Sequence, residues 1–363
     1  LNMKYIVNCR YATQQATGVQ RFAYECSLNV AEILEKNVEF VAPKGKIEKK
    51  IKSTLNIKQI GIFKGHLWEQ IDLPLYCFFK KSLLISFCSL PPIFYKKTIY
   101  TIHDLAYFRY PDFFNAVYSF IYKIVIKLTF KNILSINTVS EFTKSEAIDL
   151  LGNRQIDIVN NSINHMVNQN QKSQLPTVLK DKKFLLVVGS LDPRKNTLSL
   201  IRSFIKEKTD YYLVIVGDKN KVFAKNDDFL KIDDKKIIFT GYLEDFKLRA
   251  CYENAECFFY PSLYEGFGIP PLEAIFYNAP LAISDIPVHK EIFKNYAVFY
   301  DPNDIKNLNE LIKISQILKE KNKKNGIRSD HPLVIKYSKE NQKNQLKKII
   351  FSLDSSSSRY QNK

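Results

Sequence analysis

Apolar runs of four or five residues recur along the chain, and most stop at a turn-forming residue. In the second half Phe184 to Val188 stops at Gly189, Tyr212 to Val216 at Gly217, Ile237 to Thr240 at Gly241, and Glu256 to Tyr260 at Pro261-Ser262. Leu281 to Ser284 follows. Short continuous apolar runs bounded in this way predict strands buried on both faces of a parallel sheet. Helical stretches separate most of them, so the pattern predicts a doubly wound α/β sheet with working loops at the C-terminal ends of its strands. The first half follows the same rhythm. A strand over Lys4 to Asn8 leads through a loop ending Thr17-Gly18-Val19-Gln20 into a helix over about Arg21 to Lys36, where Phe22, Ala23, Cys26, Val30, Ile33 and Leu34 recur at helical spacing. Further strands are expected at Val38 to Ala42, Leu83 to Phe87 and Thr98 to Ile102, and a helix near Ser338 to Leu353. Residues 166–182 are polar, aperiodic and contain Pro176, which predicts an interdomain linker.

Length and composition narrow the class. The 363 residues suit two domains of about 150–180 residues each. A hydrophobic share of 45% is that of a soluble globular protein. No apolar, uncharged stretch reaches about 18 residues, so no transmembrane helix is expected. The opening LNMKYIVNCRYA turns polar too soon for a secretory signal. Cys9, Cys26, Cys77, Cys88, Cys251 and Cys257 are scattered without CxxC pairs, as buried thiols of a reducing compartment would be. No His/Cys cluster has zinc spacing. No Asp-x-Asp asks for a metal between carboxylates, and no GxGxxG follows a strand, which argues against a nicotinamide dehydrogenase. The net charge of +17 is unevenly placed: residues 1–175 carry +9, residues 176–302 carry zero, and residues 303–363 carry +8. Two readings stay open, attraction to an anionic membrane or polyanionic acceptor and a lysine-rich composition on solvated faces. No nucleic-acid reader motif appears.

The segment Tyr264-Glu265-Gly266-Phe267-Gly268-Ile269-Pro270-Pro271-Leu272-Glu273 carries the candidate chemistry. Its glycines permit close backbone approach, and its prolines suit the first turn of a helix. A helix N-terminus offers N–H groups to oxygen-rich ligands. Two carboxylates eight apart, Glu265 and Glu273, bracket the turn, and a carboxylate can accept from two neighbouring sugar hydroxyls. The segment resembles the E-x7-E signature of the large retaining glycosyltransferase family 4, which has the GT-B fold. Other matches fall in order: Val188-Gly189-Ser190-Leu191-Asp192-Pro193-Arg194-Lys195-Asn196 resembles the family's loop with Arg-Lys-Asn, Phe239 to Leu243 its base-side loop, Ser284 to Pro287 with Glu291 its next motif, and Ala297 to Pro302 the motif that ends the domain. Tyr337 to Glu340 resembles the entry to its closing helix. The resemblance is continuous over 184–302 and looser over 1–165, through Thr17-Gly18-Val19, Ile102-His103-Asp104 and Val139 to Thr143.

That resemblance implies an α/β protein of GT-B type, with two Rossmann-like domains facing across a cleft and a C-terminal helix returning to the first. The expected parts are an acceptor-binding domain 1–168, a linker 169–182, a nucleotide-sugar-binding domain 183–335, a closing helix 336–353 and a disordered tail 354–363. Adjacent cations at a strand end can neutralise charge growing on a departing diphosphate. Arg194 and Lys195 would do so in place of a metal, so no cofactor is expected. Glu265 with Gly266, Phe267, Gly268 and Ile269 would hold the transferred sugar, Glu273 the ribose, and Tyr242 would lie near the base, with Gly189 in the donor loop. His103 would lie beside the sugar with Asp104 next to it, and Gly18 and Val19 would approach the diphosphate. One departure stands in Val159-Asn160-Asn161-Ser162-Ile163-Asn164, where Ser162 occupies a position that is usually glycine. Phe113 to Phe130 reads first as a core helix with exposed lysines and second as a membrane-facing surface; helical register does not separate the two, since the run is apolar on nearly every face.

The activity implied is retaining transfer of a glycosyl unit from a nucleotide-sugar to a hydroxyl of a lipid-linked glycan, in the cytoplasm and with a peripheral membrane contact, for a bacterial surface polysaccharide such as O-antigen or capsule. The start of the first helix and the His-Asp pair resemble mannosyltransferase-type members, which leans to GDP-mannose. A rhamnosyl, fucosyl or other hexosyl donor stays open. So do two rivals, a GT-B epimerase or phosphorylase and a non-catalytic binding subunit.

Overall fold

The computed structural model describes residues 3–15, 17–163, 172–217, 235–323 and 332–360. The chain divides into two units, Leu1–Asn164 with Lys336–Lys363, and His165–Ile335.

The first unit holds a seven-stranded sheet of order β3-β2-β1-β4-β5-β6-β7. Its strands are β1 (Tyr5–Asn8), β2 (Val38–Ala42), β3 (Lys58–Gln59), β4 (Leu83–Ser86), β5 (Thr98–Ile102), β6 (Ser135–Thr138) and β7 (Asp157–Ile158). All its pairings are parallel. Every residue of β1, β4, β5 and β6 is buried, as strands covered on both faces must be. The helix Gly18–Leu34 begins three residues ahead of the expected Arg21, so Gly18, Val19 and Gln20 form its first turn instead of closing a loop. There the Gln20 side chain accepts from the Thr17 N–H at 3.2 Å, so the first turn is capped by its own sequence.

The closing helix runs Lys339–Tyr360 and is sewn to this unit. Gln342 Nε2 donates to the Asn160 carbonyl at 2.7 Å, and Asn29 Nδ2 donates to Gln342 Oε1 at 2.9 Å. Asp354, expected to open a disordered tail, lies on this helix and accepts from the Tyr5 hydroxyl at 3.1 Å. The serine run after it continues as helix, because helix formation is cooperative once nucleated upstream. The last three residues of the expected tail lie outside the described residues.

The second unit holds a six-stranded parallel sheet of order β10-β9-β8-β11-β12-β13. Its strands are β8 (Phe184–Val188), β9 (Tyr212–Val216), β10 (Ile237–Gly241), β11 (Cys257–Tyr260), β12 (Leu281–Ser284) and β13 (Val298–Tyr300). Leu185, Val187, Leu213, Ile215 and Phe259 project from the sheet into one core with Leu200, Ile201 and Phe204 of the helix Thr197–Glu207. The unit begins ahead of the expected boundary. Of the expected linker, 169–171 lies outside the described residues. The remainder belongs to this unit, with a turn at Thr177–Leu179 that buries Leu179 completely. An apolar residue in a polar segment was enough to fix it.

The order 3-2-1-4 in both sheets reverses direction beside the central strand, and such a reversal opens a crevice at the strands' C-terminal ends. In the second unit the loops after β8 and β9 close on each other there. A Cβ added at Gly217 would lie 2.0 Å from the Gly189 carbonyl oxygen. Gly217→Ala should therefore cost about 3 kcal/mol or more in chemical unfolding, the range of severe steric changes.

Candidate active site

The loop after β8 is built to present two cations. The Asp192 side chain accepts from the Arg194 N–H at 2.9 Å and starts a short turn, Pro193–Lys195. Asn196 ends it in the left-handed region, φ 53°, and its side chain donates to the Pro302 carbonyl at 2.7 Å. The Leu263 N–H donates to the Arg194 carbonyl at 2.8 Å and joins this turn to the loop after β11.

Lys195 and Glu265 meet at that junction. Lys195 Nζ lies 2.5 Å from Glu265 Oε1, with side-chain exposures of 17% and 8%. The same oxygen accepts from the Tyr260 hydroxyl at 2.8 Å and from Ser262 Oγ at 2.7 Å. Lys195 also donates to the Tyr260 oxygen at 2.9 Å. Donors thus converge on Oε1, and no described residue bonds Oε2. Burial alone would push the Glu265 carboxyl up. Lys195 and Arg194 beside it overcome that and hold it at about 2. Lys195 is pushed down by burial first and by Arg194 second, against the pull of Glu265. A carboxylate ionised at every working pH and pinned by one oxygen can accept hydroxyls with the other.

Gly268 closes the loop at φ +107°, a conformation that favours glycine. The helix Ile269–Phe276 follows, with Pro270 and Pro271 in its first turn. Phe267 is buried, and Glu273 is buried on the helix with Oε2 accepting from the Tyr252 hydroxyl at 2.8 Å. Behind Gly268 stands His289, wholly buried. Its Nδ1 lies 2.9 Å from the Ser284 carbonyl and 3.3 Å from Ser284 Oγ. Since a carbonyl only accepts, Nδ1 carries the proton. Nε2 then has no hydrogen-bond partner among the described residues. Burial lowers His289 to about 4, so the ring is neutral. Gly189 follows β8, and Tyr242 follows β10 with 63% of its surface exposed.

The first unit carries the other expected residues. His103 follows β5. Its Nε2 donates to the Phe87 carbonyl at 2.6 Å, and its ring stands edge-on to Phe22 with centroids 4.9 Å apart. Burial lowers its pKa, which leaves a neutral ring with Nδ1 as the acceptor. Asp104 accepts from the Ala106 N–H at 3.0 Å, an Asx-type turn into the helix Ala106–Arg109. Gly18 and Val19 open the helix Gly18–Leu34. Ser162 is buried and donates to the Glu25 carboxylate on that helix, a bond that a glycine there could not make.

Sequence reasoning passed over several partners. Tyr260 and Ser262 fix Glu265, and their signal was two polar groups at the end of an apolar run. Tyr252, which engages Glu273, is distant in sequence and gave no signal. In the first unit Glu69 is fully buried. It accepts from Asn8 Nδ2 at 3.1 Å and lies 3.0 Å from both Arg10 Nε and His66 Nδ1. This cluster sits where β1 and β4 end, and only the fold brings its members together. No cluster of three or more metal-holding side chains occurs among the described residues.

Comparison with known proteins bears on the family and the fold. A family model described as glycosyl transferases group 1 matches residues 168–332. The chain is 30% identical to the O-antigen chain mannosyltransferase RfbU of Salmonella typhimurium over 298 residues, which is 79% of this chain and 80% of that protein. Among solved structures, sucrose-phosphate synthase from Thermosynechococcus elongatus superposes with a TM-score of 0.72 at 13% identity, over 98% of this chain and 100% of that one. Anabaena HepE in complex with UDP and glucose gives 0.70 at 13% identity, over 97% and 100%. At these identities the structures speak for the fold, which is GT-B.

Proposed function

Because the chain belongs to the group 1 glycosyl transferases, we propose that it moves mannose from GDP-mannose to a hydroxyl of a lipid-linked glycan during assembly of a bacterial surface polysaccharide. That the chain is a glycosyltransferase follows from its family. The choice of mannose and of an O-antigen-type acceptor is supported by the similarity to RfbU. A nucleotide donor is in keeping with the UDP bound by HepE.

The observation that carries the reading is the convergence of Lys195, Tyr260 and Ser262 on one oxygen of Glu265. Glu265 Oε2 then takes hydroxyls of the transferred sugar, helped by the backbone of Gly266, Phe267, Gly268 and Ile269. Lys195 has three N–H bonds. Two are directed at Tyr260 and Glu265, and the third serves a phosphate oxygen. Arg194 joins it, so the diphosphate departs toward two cations, and in this reading no metal is required. Glu273 takes the ribose, Tyr242 lies by the base, and Gly18 and Val19 approach the diphosphate. His103, neutral, accepts a sugar hydroxyl through Nδ1, with Asp104 fixing the backbone beside it. The anomeric configuration is retained: the acceptor enters on the face the phosphate leaves, and the phosphate takes its proton. The enzyme works in the cytoplasm, at the inner face of the plasma membrane.

A thermal-shift series tests the donor. GDP-mannose at a hundred times its Kd should add about 2.7 kcal/mol, a rise of several degrees in Tm, while UDP-, dTDP- and CMP-sugars should not. A larger shift with another nucleotide would overturn the GDP-mannose reading. No shift with any of them would overturn the donor site itself.

A further inference from the structure

The structure resolves the register of Phe113 to Phe130. In the helix Ala116–Phe130, the residues Ser119, Val125, Ile126, Thr129 and Phe130 are buried in the first unit. On the other side Val117, Phe120, Ile121, Ile124 and Leu128 face solvent, with Val117 65% and Phe120 64% exposed. Steps of three and four residues place them on one face. The helix is therefore apolar on both sides, and only one side has a core to enter.

A second such face adjoins it. Ile71, Leu75, Phe78 and Phe79 follow the same spacing in and just before the helix Asp72–Lys80, and Phe79 is 79% exposed. The preceding helix, Gly65–Gln70, adds exposed Leu67. Its His66 ring meets the Tyr122 ring edge-on, with centroids 5.7 Å apart, so this segment abuts the helix Ala116–Phe130. Single exposed apolar residues are ordinary, but a gathered surface of this kind marks a binding face.

Charge identifies what binds. No acidic residue occurs between 113 and 134, while Lys123, Lys127 and Lys131 do. Lys123 and Lys127 flank the face, their Nζ atoms 5.9 and 5.8 Å from the Phe108 ring centroid. Lys64 and Lys81 are exposed beside the second face. The acids there are engaged: Glu69 is buried against Arg10, and Asp72 accepts from the Ile62 and Phe63 N–H groups. Apolar side chains bordered by lysines complement an anionic bilayer, in which the rings enter the acyl boundary and the ammonium groups meet the headgroups. The helix has 15 residues and so spans about 22 Å, short of the roughly 30 Å hydrocarbon core. No helix among the described residues is long and apolar enough to cross a membrane. A helix of that length can lie along a bilayer surface but not cross it.

We propose that these two faces of the first unit dock the enzyme onto an anionic lipid bilayer, an inference that rests on the reading of a lipid-linked acceptor and names the surface that reaches it. Binding is reversible and weakens with salt, because lysine attraction and apolar burial each supply part of it.

Co-sedimentation of the full chain with vesicles tests this. The chain should pellet with vesicles of mixed phosphatidylglycerol and phosphatidylcholine, and at least about tenfold less with phosphatidylcholine alone or in high salt. Phe78→Glu with Phe79→Glu, and separately Phe120→Glu with Ile124→Glu, should each weaken binding at least about tenfold. Lys123→Gln with Lys127→Gln, a gentler pair, should weaken binding to the mixed vesicles only. All these positions are surface ones, so the unfolding temperature and the donor-induced thermal shift should stay at the wild-type values. A wild-type chain left in the supernatant, or apolar-face variants that pellet like wild type, would overturn the proposal. So would a wild-type dimer in sedimentation velocity that these variants dissociate, without vesicle binding. A lost donor shift with vesicle binding intact would instead strike the glycosyl-transfer reading alone.

Discussion

Lys195→Ala should lower kcat for glycosyl transfer by at least about a thousandfold, since one preorganised group at a developing charge is worth about a hundred- to a thousandfold and this substitution also releases Glu265. The loss belongs in kcat more than in KM, because charge on the departing phosphate grows toward the transition state. The same substitution should destabilise the protein. Lys195 and Glu265 form a pair with 17% and 8% side-chain exposure, and breaking such a pair from one side costs about 3–5 kcal/mol through the carboxylate left behind. Glu265→Gln separates the two effects. It keeps the side chain's shape and its bonds to Tyr260 and Ser262 while removing the charge. Turnover should fall at least about a hundredfold with a smaller loss of Tm. Steady-state kinetics and thermal unfolding on the same preparations check both. A Lys195→Ala protein with near wild-type kcat would remove Lys195 from the chemistry.

The second large effect concerns acid. His289 sits at about 4, below its ordinary 6.5, mainly because burial disfavours its charged form. Glu265 and Lys195 are the charged groups that face it. A depressed histidine binds a proton more readily unfolded than folded, so stability is complete above pH 6.5 and is lost as pH falls toward 4. At roughly 1.4 kcal/mol per unit, the loss is about 3 kcal/mol. Glu265 adds to it lower down. Its folded value of about 2 lies below the ordinary 4.5, so its contribution is present above 4.5 and is lost as pH falls from there toward 2. Chemical unfolding at a series of pH values should show both steps. His289→Leu should shrink the first step to the part that His103, also lowered by burial, contributes, and leave the second. An unchanged slope between pH 6.5 and 4 would mean that His289 does not titrate as its burial requires.

Much of the second unit was legible because its strands are continuous apolar runs with sharp ends. β9 matches the expected Tyr212 to Val216, and β11 differs from expectation by one residue. The first unit was harder to read. β3 and β7 have two residues each, none of them buried, and are too short to carry a period to detect. The Arg-Lys pair and the two acids were visible as motifs, since each is contiguous in sequence. Their support was not. Tyr252 reaches Glu273 across 21 residues, and Lys195 reaches Glu265 across 70. The helix Ala116–Phe130 shows the limit most plainly. Its residues are apolar all round, so only the packing of Val125, Ile126 and Phe130 against the core reveals which side was left outside.

The central claim is that this chain transfers a sugar from a nucleotide donor held at Lys195 and Glu265. Release of nucleoside diphosphate by the purified chain measures it most directly, with GDP-mannose and a membrane extract carrying lipid-linked glycan, followed alongside incorporation of labelled sugar into the lipid fraction. The expected result is release matched by incorporation in the wild type, with both lost in Lys195→Ala and Glu265→Gln. Release and incorporation that persist undiminished in both variants would contradict the account.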